Sequence, residues 1–291
     1  INSLYCETDT ESIKDKHTYD SFKGNTMELN EQQVNQFKDE GYLILSNFFD
    51  QYEVQALVIE LERFYRQDLG RNVATDGDGE TCSTIMHNYQ VIPLNNISDL
   101  YRALPYCSKV KTVVSQLLGD PYIRHLDQIF LKPPGTGIGT SWHTDNGYFR
   151  ISDPTKGTGM WIALHDASLE NGTLQVIPNG HRLEYSHQRD PYSNHHITCD
   201  PDESKAIPVE VDAGGIVFFN YGIPHCTKEN KTDKMRGGCA YHFLRQDYIP
   251  EQSQQMHNLP VITGPDATGG VREYGVKVEG TWEQEIQKLV G

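Results

Sequence analysis

Apolar residues recur at helical spacing in two stretches of the first half of the chain. In residues 51–66 the apolar positions are Val54, Leu57, Val58, Leu61 and Phe64. Positions three and four apart lie on one face of a helix, so this stretch predicts an amphipathic helix. Residues 108–118 repeat the spacing and stop at Gly119, a residue type that commonly ends a helix. Ahead of both, the pattern predicts a short helix and then a strand over Tyr42–Phe48.

After residue 120 the pattern changes to short runs rich in β-branched and aromatic residues. The runs are IRHLDQIFLK, GMWIALHDA, TLQVIPN, IPVEVDAGGIVFFNY and GGCAYHFLR. Gly, Pro and Asn separate them, as is typical of strands joined by turns. Helices followed by many short strands indicate a β core with helices packed against it. We therefore predict a mainly β fold with flanking helices, whose core is a jelly roll or a barrel-like sheet.

Two long segments without periodicity interrupt this pattern, at residues 66–90 and 181–206. Long loops in a compact domain usually serve a function, and we expect these two to form walls of a substrate pocket. Residues 1–28 are polar and predict an N-terminal arm. Residues 29–291 are predicted to form a single domain with N-terminal helices and a C-terminal extension. That extension ends in a predicted short helix near residues 281–290.

Composition narrows the classes of partner. The 291-residue chain carries 40 acidic and 25 basic residues, which gives a net charge of −15. Such a surface repels phosphate backbones and anionic lipid heads, so we expect a small-molecule substrate, no nucleic acid and no membrane partner. No apolar run reaches the roughly 18 residues of a transmembrane helix. Six scattered cysteines without a CxxC pair predict free thiols and a reducing, cytoplasmic setting. The oligomeric state stays open.

Three residues suggest a metal site. His143 and Asp145 lie two residues apart in a β-prone stretch, and His225 lies far downstream in PHCT. Residues two apart on a strand face the same side, so the imidazole and the carboxylate are predicted to project together. With His225 they would form a 2-His-1-carboxylate facial triad, which holds non-haem Fe(II) and leaves coordination positions open. Taken alone, the HxD tripeptide favours a hydrogen-bonded surface turn, so the prediction depends on its surroundings.

The metal-site prediction is strengthened by Arg236 and Thr227, which both lie downstream of His225 in the chain. Arg236 lies eleven residues after His225, on the next predicted strand. Its guanidinium could pair bidentately with the far carboxylate of a dicarboxylic co-substrate. Thr227, two residues after His225, could add a hydroxyl hydrogen bond to the same carboxylate. The five positions together therefore predict a metal site with an anion-binding site beside it.

Several runs in order along the chain resemble the phytanoyl-CoA dioxygenase (PhyH) family. They are FLKPPG, WHTDNGYF, ALHDASLENGTLQVIPNGHR, GGIVFFN, PHCT and AYHF. The resemblance covers roughly residues 30–245 and includes an N-terminal DEGYLIL strand of the family's kind. It implies a double-stranded β-helix, a cupin-like jelly roll, and oxygenase activity that depends on Fe(II), 2-oxoglutarate and O₂. It further implies that His143, Asp145 and His225 are the iron ligands.

The resemblance also implies a binding site for 2-oxoglutarate. Arg236 and Thr227 would hold its far carboxylate, and Trp161 would line the same pocket. Gln128 and Lys132 lie on the strand before the HxD tripeptide, and alternation puts both on one face. In the family that strand contributes to co-substrate binding. Core packing accounts for Trp161 equally well, and a solvated charge at a sheet edge accounts equally well for Lys132.

The expected reaction is the oxidation of an unactivated C–H bond in a small metabolite or natural product, with release of succinate and CO₂. Hydroxylation is the first expectation, and desaturation or oxidative cyclisation are its alternatives. Asp145 occupies the position that related halogenating enzymes leave open for a halide, so oxygenation is favoured. A non-catalytic jelly-roll binding protein and a cupin-like enzyme with another metal are the remaining alternatives. The triad together with Arg236 argues against both.

An acyl-CoA hydroxylase of the same family is the main alternative for the substrate. A CoA ester would require clustered basic residues for its phosphates. The arginines of the candidate pocket segments are Arg63, Arg66, Arg71, Arg182 and Arg189. Acidic residues are interspersed among them, so the sequence favours a small substrate without CoA.

Five other polar residues, four of them in the two long segments, fit the pocket less specifically. His195 and His196 are adjacent and would face opposite sides of a strand, so we predict that both lie in a solvated loop. His87, Tyr89 and Arg150 fit the pocket and ordinary packing equally well. None of the five was predicted to bind the metal.

Overall fold

The computed structural model of the protein describes residues 27–250 and 259–291. Most of the predicted polar arm, residues 1–28, therefore lies outside the described residues. The α-helices of the described residues are α1 Glu31–Glu40, α2 Gln51–Arg66, α3 Asp99–Ala103, α4 Ser108–Leu118, α5 Asp145–Phe149, α6 Val271–Tyr274 and α7 Trp282–Val290. The helices predicted at residues 51–66, 108–118 and near 281–290 are confirmed. They could be predicted because their apolar residues recur at helical spacing.

Most strands follow residue 120, as the change of pattern predicted. The strands are β1 Tyr42–Leu45, β2 Arg71–Asn72, β3 Tyr89–Val91, β4 Tyr122–Lys132, β5 Thr140–His143, β6 Gly157–Ala163, β7 Leu174–Val176, β8 Gln188–Arg189, β9 Ile197–Thr198, β10 Ile207–Pro208, β11 Ile216–Asn220, β12 His225–Thr227 and β13 Arg236–Arg245. The first strand ends at Leu45 rather than at Phe48. Asn47 has a φ of 54°, in the left-handed region, and this turn ends the extended backbone early.

The strands form two main antiparallel sheets. The larger has seven strands in the order β1-β11-β6-β13-β4-β3-β2, and the smaller has four in the order β10-β7-β12-β5. The short pair β8-β9 forms a separate hairpin. Residues of both main sheets line one internal cavity, which lies between them. This arrangement is the predicted jelly roll, or double-stranded β-helix, and the cavity at its centre holds the candidate site.

Alternation along the long strands separates the helix-packed core from the cavity. On β4, Ile129 and Leu131 are buried in the main hydrophobic core with residues of α2 and α4. The residues between and beside them, Gln128, Phe130 and Lys132, line the cavity. Because side chains alternate across a strand, one face of the sheet packs on helices while the other presents polar groups to the site.

Capping and packing hold α2 against the outer face of the large sheet. Asp50 accepts hydrogen bonds from the backbone N–H groups of Tyr52 and Glu53, and the Glu53 carboxylate accepts from the Asp50 N–H in return. This capping box satisfies backbone donors at the start of the helix. Further along α2, Leu57 and Phe64 are fully buried in the main core. The helix therefore begins at a defined residue and presents one apolar face to the sheet.

We expect Glu53→Ala to destabilise the fold strongly. Besides capping α2, the buried Glu53 carboxylate pairs with the Lys109 ammonium of α4 and accepts a 2.9 Å hydrogen bond from Trp282 Nε1 of α7. Its loss leaves a largely buried ammonium without its carboxylate partner, with only the Phe48 carbonyl oxygen still accepting from it, which costs about 3 kcal/mol of unfolding free energy. Urea unfolding measures the change. Glu62→Ala, at an exposed position of the same helix, should stay within about 0.5 kcal/mol of the unaltered chain.

The two long segments contain short pieces of regular structure. Residues 66–90 include β2 and the start of β3, and residues 181–206 include the hairpin β8-β9. Strands of two residues are too short to leave a periodic signal in the sequence, which is why both segments read as irregular. The five cysteines among the described residues are free, as their spacing predicted.

Candidate metal centre and cavity

His143, Asp145 and His225 meet at one end of the cavity. Strand β12 pairs with β5 so that His225 lies opposite His143, and this register brings the two imidazoles together. Asp145 lies two residues after the end of β5, and its Oδ1 lies 3.8 Å from Nε2 of His225. One potential ligand atom from each residue lies within 4.8 Å of the others, and all three residues are buried. The structure therefore places the three predicted ligands around a single point.

Asp145 lies just beyond the end of β5 and begins a helix. Strand β5 ends at His143, and Asp145 is the first residue of helix α5. Thr144, between them, keeps an extended backbone (φ −111°, ψ 144°), so the predicted alternation holds across it and the imidazole and the carboxylate project to the same side. Thr144 also caps α5, because its hydroxyl accepts a hydrogen bond from the Gly147 N–H. The helix, which the sequence analysis did not predict, brings Tyr148 and Phe149 into the cavity lining.

Backbone hydrogen bonds define which nitrogen of each imidazole faces the site. Nδ1 of His143 lies 2.8 Å from the Ser141 carbonyl oxygen, and Nδ1 of His225 lies 3.0 Å from the Ile223 carbonyl oxygen. A carbonyl oxygen only accepts, so each Nδ1 carries the hydrogen and donates it. Both Nε2 atoms are left with lone pairs. Metal-binding histidines are commonly fixed in this way by a partner at the other nitrogen.

The protonation states also suit a metal. Burial, with a smaller contribution from His225, lowers the pKa of His143 to about 3. Burial likewise lowers the pKa of His225. Burial alone would raise the pKa of Asp145, but the imidazoles of His242 and His225 outweigh it and hold this pKa below its usual value. Two neutral imidazoles and one carboxylate are the donor set of non-haem Fe(II) sites, so these residues fit that metal.

Two buried cations, Lys132 and Arg236, lie where the sequence analysis predicted the co-substrate site. Lys132 and Arg236 are opposite each other in the pairing of β4 with β13, and each is 1% exposed. Their charged groups converge on the carbonyl oxygen of Gly172, which lies 3.3 Å from Lys132 Nζ and 2.6 Å from Arg236 Nη2. Neither cation forms a salt bridge within residues 27–250 and 259–291. The alternative of a solvated edge charge at Lys132 is wrong, because β13 covers that edge.

Burial depresses the basicity of both groups. It lowers the pKa of Lys132 well below its usual value, and the neighbouring charge of Arg236 lowers it further. Burial also lowers the pKa of Arg236 to about 10. Two adjacent cations without a counter-charge are costly to bury, and an anion bound at this end of the cavity would offset that cost.

Trp161, Thr227 and Gln128 also line the cavity. The guanidinium carbon of Arg236 lies 5.8 Å from the centre of a Trp161 ring, and the same indole packs in a hydrophobic cluster with Ala163. Trp161 is thus both a cavity wall and a core residue. The Thr227 hydroxyl oxygen accepts a 3.0 Å hydrogen bond from the Thr140 N–H, which leaves its own hydrogen to be donated.

Several cavity residues were missed by the sequence analysis. They include Gln90, Leu126, Phe130, Tyr148, Phe149, Phe219 and His242. Tyr148 and Phe149 lie three and four residues after Asp145, so a predicted helix there would have identified them. Phe130 alternates with Gln128 and Lys132 on β4, and that spacing was a usable signal. His242 lies six residues after Arg236 on β13, where the same alternation turns it into the cavity.

The prediction for His195 and His196 was wrong. Both line the cavity, and His196 is only 5% exposed. Burial lowers the pKa of both imidazoles. Neighbouring loop residues cover them, a non-local effect that adjacency in the sequence does not reveal. His87, Tyr89 and Arg150, in contrast, are not among the residues that line the cavity.

The family model of phytanoyl-CoA dioxygenase (PhyH) matches residues 37–238, more than half of the chain. The chain belongs to this family. A phytanoyl-CoA dioxygenase of Arabidopsis thaliana is 31% identical over 160 residues, which are 53% of this chain and 56% of that protein. Phytanoyl-CoA dioxygenase domain-containing protein 1 of Danio rerio is 24% identical over 266 residues, 75% of this chain and 91% of that protein.

The PhyH family consists of oxygenases that depend on Fe(II) and 2-oxoglutarate, so this family member is an enzyme of that class. A solved structure shares its fold: the epimerase SnoN in complex with Fe³⁺, alpha ketoglutarate and nogalamycin RO. It superposes with a TM-score of 0.64 at 20% identity, covering 81% of this chain and 91% of the other. In the described ranges of this PhyH protein, no helix is both long and apolar enough to cross a membrane.

We expect His242 to position the Asp145 carboxylate. Its Nε2 lies 3.3 Å from Asp145 Oδ2, whereas His225 Nε2 lies 3.8 Å from the other carboxylate oxygen, Oδ1. Without this contact the carboxylate can rotate, so His242→Leu should weaken metal binding by roughly 10- to 100-fold. Titration of the metal-free protein with Mn²⁺, followed by electron paramagnetic resonance, measures the affinity.

A second variant, His242→Gln, separates the positioning of the carboxylate from the effect of changing the size and shape of the side chain. His242→Gln keeps an N–H donor at this place and should retain more of the Mn²⁺ affinity than His242→Leu. Equal affinity in both variants and in the unaltered chain would show that His242 does not position Asp145.

Proposed function

We propose that this PhyH protein oxidises an unactivated C–H bond of a small metabolite or natural product, consuming 2-oxoglutarate and O₂ and releasing succinate and CO₂. The observation that carries the proposal is the pair of buried, uncompensated cations, Lys132 and Arg236, in the same cavity as the His-Asp-His cluster. A metal-binding cluster alone fits many chemistries. An anion site beside it fits a co-substrate that reaches from the metal to a fixed cation.

His143, Asp145 and His225 would hold the metal through two Nε2 atoms and one carboxylate oxygen. Bound Fe(II) would supply the activation of O₂, with 2-oxoglutarate as the source of two electrons. The protein contributes by fixing the three side chains before the metal arrives. Both imidazoles are held by backbone carbonyls, and the carboxylate is held by the start of α5 and by His242. Little reorganisation is then required on binding.

Arg236 and Lys132 would bind the far carboxylate of 2-oxoglutarate. The guanidinium offers a planar pair of donors and the ammonium offers a second positive charge. Thr227 would donate its hydroxyl hydrogen to the same group, and the Trp161 indole would confine the methylene chain. The Gln128 amide, which also lines the cavity, would contact the bound co-substrate. A dicarboxylate would offset the cost of burying both cations.

The rest of the cavity would hold the substrate. Its volume is about 290 Å³, and Leu126, Phe130, Tyr148 and Phe149 line it beside the polar groups. These side chains exclude water and limit how a substrate can lie relative to the metal site. The nearest C–H bond would be oxidised. Asp145 occupies a ligand position, which favours oxygenation over halogenation, and hydroxylation is the reaction we propose first.

An anaerobic spectrum tests the proposal. Fe(II) and then 2-oxoglutarate are added to the metal-free protein while the visible absorption is recorded. A weak metal-to-ligand charge-transfer band is expected when the keto acid chelates the metal. If iron binds and the folded protein gives no band, 2-oxoglutarate is not the co-substrate. Release of succinate from the same mixture in air then serves as the activity assay for substrate screening.

A further inference from the structure

The two long segments of the chain form one continuous outer wall of the cavity. Backbone hydrogen bonds join them: the Thr75 N–H donates to the Tyr192 carbonyl oxygen, the Gly79 N–H to that of Pro191, and the Asn194 N–H to that of Val73. The wall is therefore a built element and not two separate loops. Besides His196, three polar residues of this wall line the cavity: Arg71, Gln90 and His195.

A network of side-chain contacts holds these three residues in place. The Gln90 amide nitrogen donates to Gln128 Oε1 at 2.9 Å and lies 3.4 Å from His195 Nε2. Nδ1 of His195 lies 2.8 Å from Asn194 Oδ1. The Gln90 amide oxygen accepts from Arg71 Nη2 at 3.4 Å. One edge of the Arg71 guanidinium is thereby oriented by Gln90, which leaves its remaining N–H donors for another acceptor.

The charges of the cavity are opposite in sign to those of the whole chain. The chain carries a net charge of −15, yet the cavity is lined by three fixed cations, Arg71, Lys132 and Arg236, and by one carboxylate, Asp145. Lys132 and Arg236 form the proposed co-substrate end. Arg71 makes no salt bridge with any residue of the described ranges. One cation thus remains for a second anion.

Arg71 lies far from the co-substrate end. Strand β2 pairs with β3, β3 with β4, and β4 with β13, so Arg71 and Arg236 are three strands apart in the large sheet. Neighbouring strands are spaced by about 4.8 Å, which separates the two backbones by about 14 Å measured across the sheet. Apolar side chains, among them Phe130 of the intervening strand β4, line the same cavity. Arg71 therefore enters the cavity from a different part of the sheet than Arg236 does.

We propose that Arg71, oriented by Gln90, binds a single carboxylate of an otherwise apolar substrate, whose far end then lies against the metal site. This proposal rests on the proposed function of the cavity. A planar guanidinium matches a carboxylate in geometry, and the apolar walls beyond it match an alkyl or aromatic body. The neighbouring His195 imidazole neither attracts nor repels the anion by a net charge. Burial and the nearby arginines lower its pKa to about 4, so it is neutral.

The same observations argue against a CoA ester. Of the five arginines that the sequence offered for CoA phosphates, Arg71 alone lines the cavity. Arg63 pairs with Glu60, Arg182 donates to the Asp39 carbonyl oxygen, and Arg189 donates to that of Gly79. A group with several phosphates requires several cations close together, whereas a free acid requires one.

Matched ligands and variants test the proposal. The probes are 4-phenylbutanoate and octanoate, their primary amides, 4-phenylbutylamine and octanoyl-CoA. Dissociation constants are measured by calorimetry on the metal-free protein, and by perturbation of the charge-transfer band with Fe(II) and saturating 2-oxoglutarate. The variants are Arg71→Gln and Arg71→Lys. The matched control is Arg66→Gln, which removes an equal charge from an exposed residue outside the cavity.

The carboxylates should bind the unaltered chain at least about tenfold more tightly than the amides, and the amine should bind worst. Arg71→Gln should weaken carboxylate binding by roughly 10- to 100-fold and leave amide binding unchanged. Arg71→Lys should retain part of the preference, and Arg66→Gln all of it. The preference should also shrink with added salt, because Arg71 is exposed to solvent at the cavity mouth.

Three results would overturn the proposal: no carboxylate binding, equal binding of acid and amide, or an acid preference that survives in Arg71→Gln. Tighter binding of octanoyl-CoA than of octanoate would overturn it in favour of an acyl-CoA substrate. Calorimetry needs neither metal nor 2-oxoglutarate. A missing charge-transfer band together with an Arg71-dependent acid preference would therefore count against the proposed function alone.

Discussion

Replacing His225 with alanine should abolish succinate production. The variant removes one of two neutral imidazoles from the cluster with His143 and Asp145, whose ligand atoms lie within 4.8 Å of one another. The remaining pair holds a divalent metal weakly and leaves an extra open position, so bound metal is lost and its geometry changes. We expect turnover to fall by at least about a thousandfold, the rate equivalent of roughly 4 kcal/mol.

Two measurements identify the cause. Succinate release reports turnover, and Mn²⁺ titration by electron paramagnetic resonance reports metal affinity in the absence of activity. His87→Ala is the matched control, because this half-buried imidazole lies outside the cavity lining and its Nδ1 has no hydrogen-bond partner within the described residues. If His225→Ala kept both metal affinity and turnover while His87→Ala behaved normally, the metal centre would have to be sought elsewhere.

Replacing Arg236 with alanine should weaken 2-oxoglutarate binding without removing the metal. Its guanidinium is buried beside Lys132 and has no carboxylate partner in the described part of the chain, so an arriving carboxylate gains its full attraction. Loss of a desolvated ion pair costs about 2–5 kcal/mol, which corresponds to a fall in affinity of roughly 30-fold or more. The apparent KM for 2-oxoglutarate and the titration of the charge-transfer band both measure it.

Companion variants separate charge from geometry. Arg236→Lys keeps a positive charge but loses the planar pair of donors, so its affinity should lie between those of Arg236→Ala and the unaltered chain. Mn²⁺ affinity should be nearly equal in all three, since the cations lie apart from the metal ligands. Thermal unfolding checks that each variant is folded. An unchanged affinity for 2-oxoglutarate in Arg236→Ala would remove this residue from the co-substrate site.

Local sequence pattern was sufficient for much of the fold. Helices α2 and α4 follow from apolar residues three and four apart, and Gly119 marks the end of α4. These signals depend on neighbours in the sequence, because a helix is held by contacts within one or two turns. The boundaries of short elements were less accessible. Strand β1 ends at Leu45 because the backbone turns at Asn47. The strands of two residues in the long segments are too short to leave a periodic pattern in the sequence.

The residue types and their order in the chain were also sufficient to predict a metal site and a carboxylate-binding site. His143, Asp145, His225 and Arg236 were chosen as a set because their side chains are the ones that hold Fe(II) and a carboxylate. The alternation that sets His143 and Asp145 on one side also holds, because Thr144 keeps an extended backbone between them. The sequence did not reveal that Asp145 begins a helix, since whether the strand continues past His143 depends on what pairs with it.

Long-range pairing produces the remaining features of the site. His225 meets His143 only because β12 pairs with β5, and Lys132 is buried only because β13 covers β4. The covered imidazoles of His195 and His196, and the position of Arg71 at the cavity wall, depend on hydrogen bonds between segments about a hundred residues apart in the chain. Burial and the pKa changes that it causes are properties of such non-local contacts. They arise when the sheets close around the cavity, because only then is water removed from these groups.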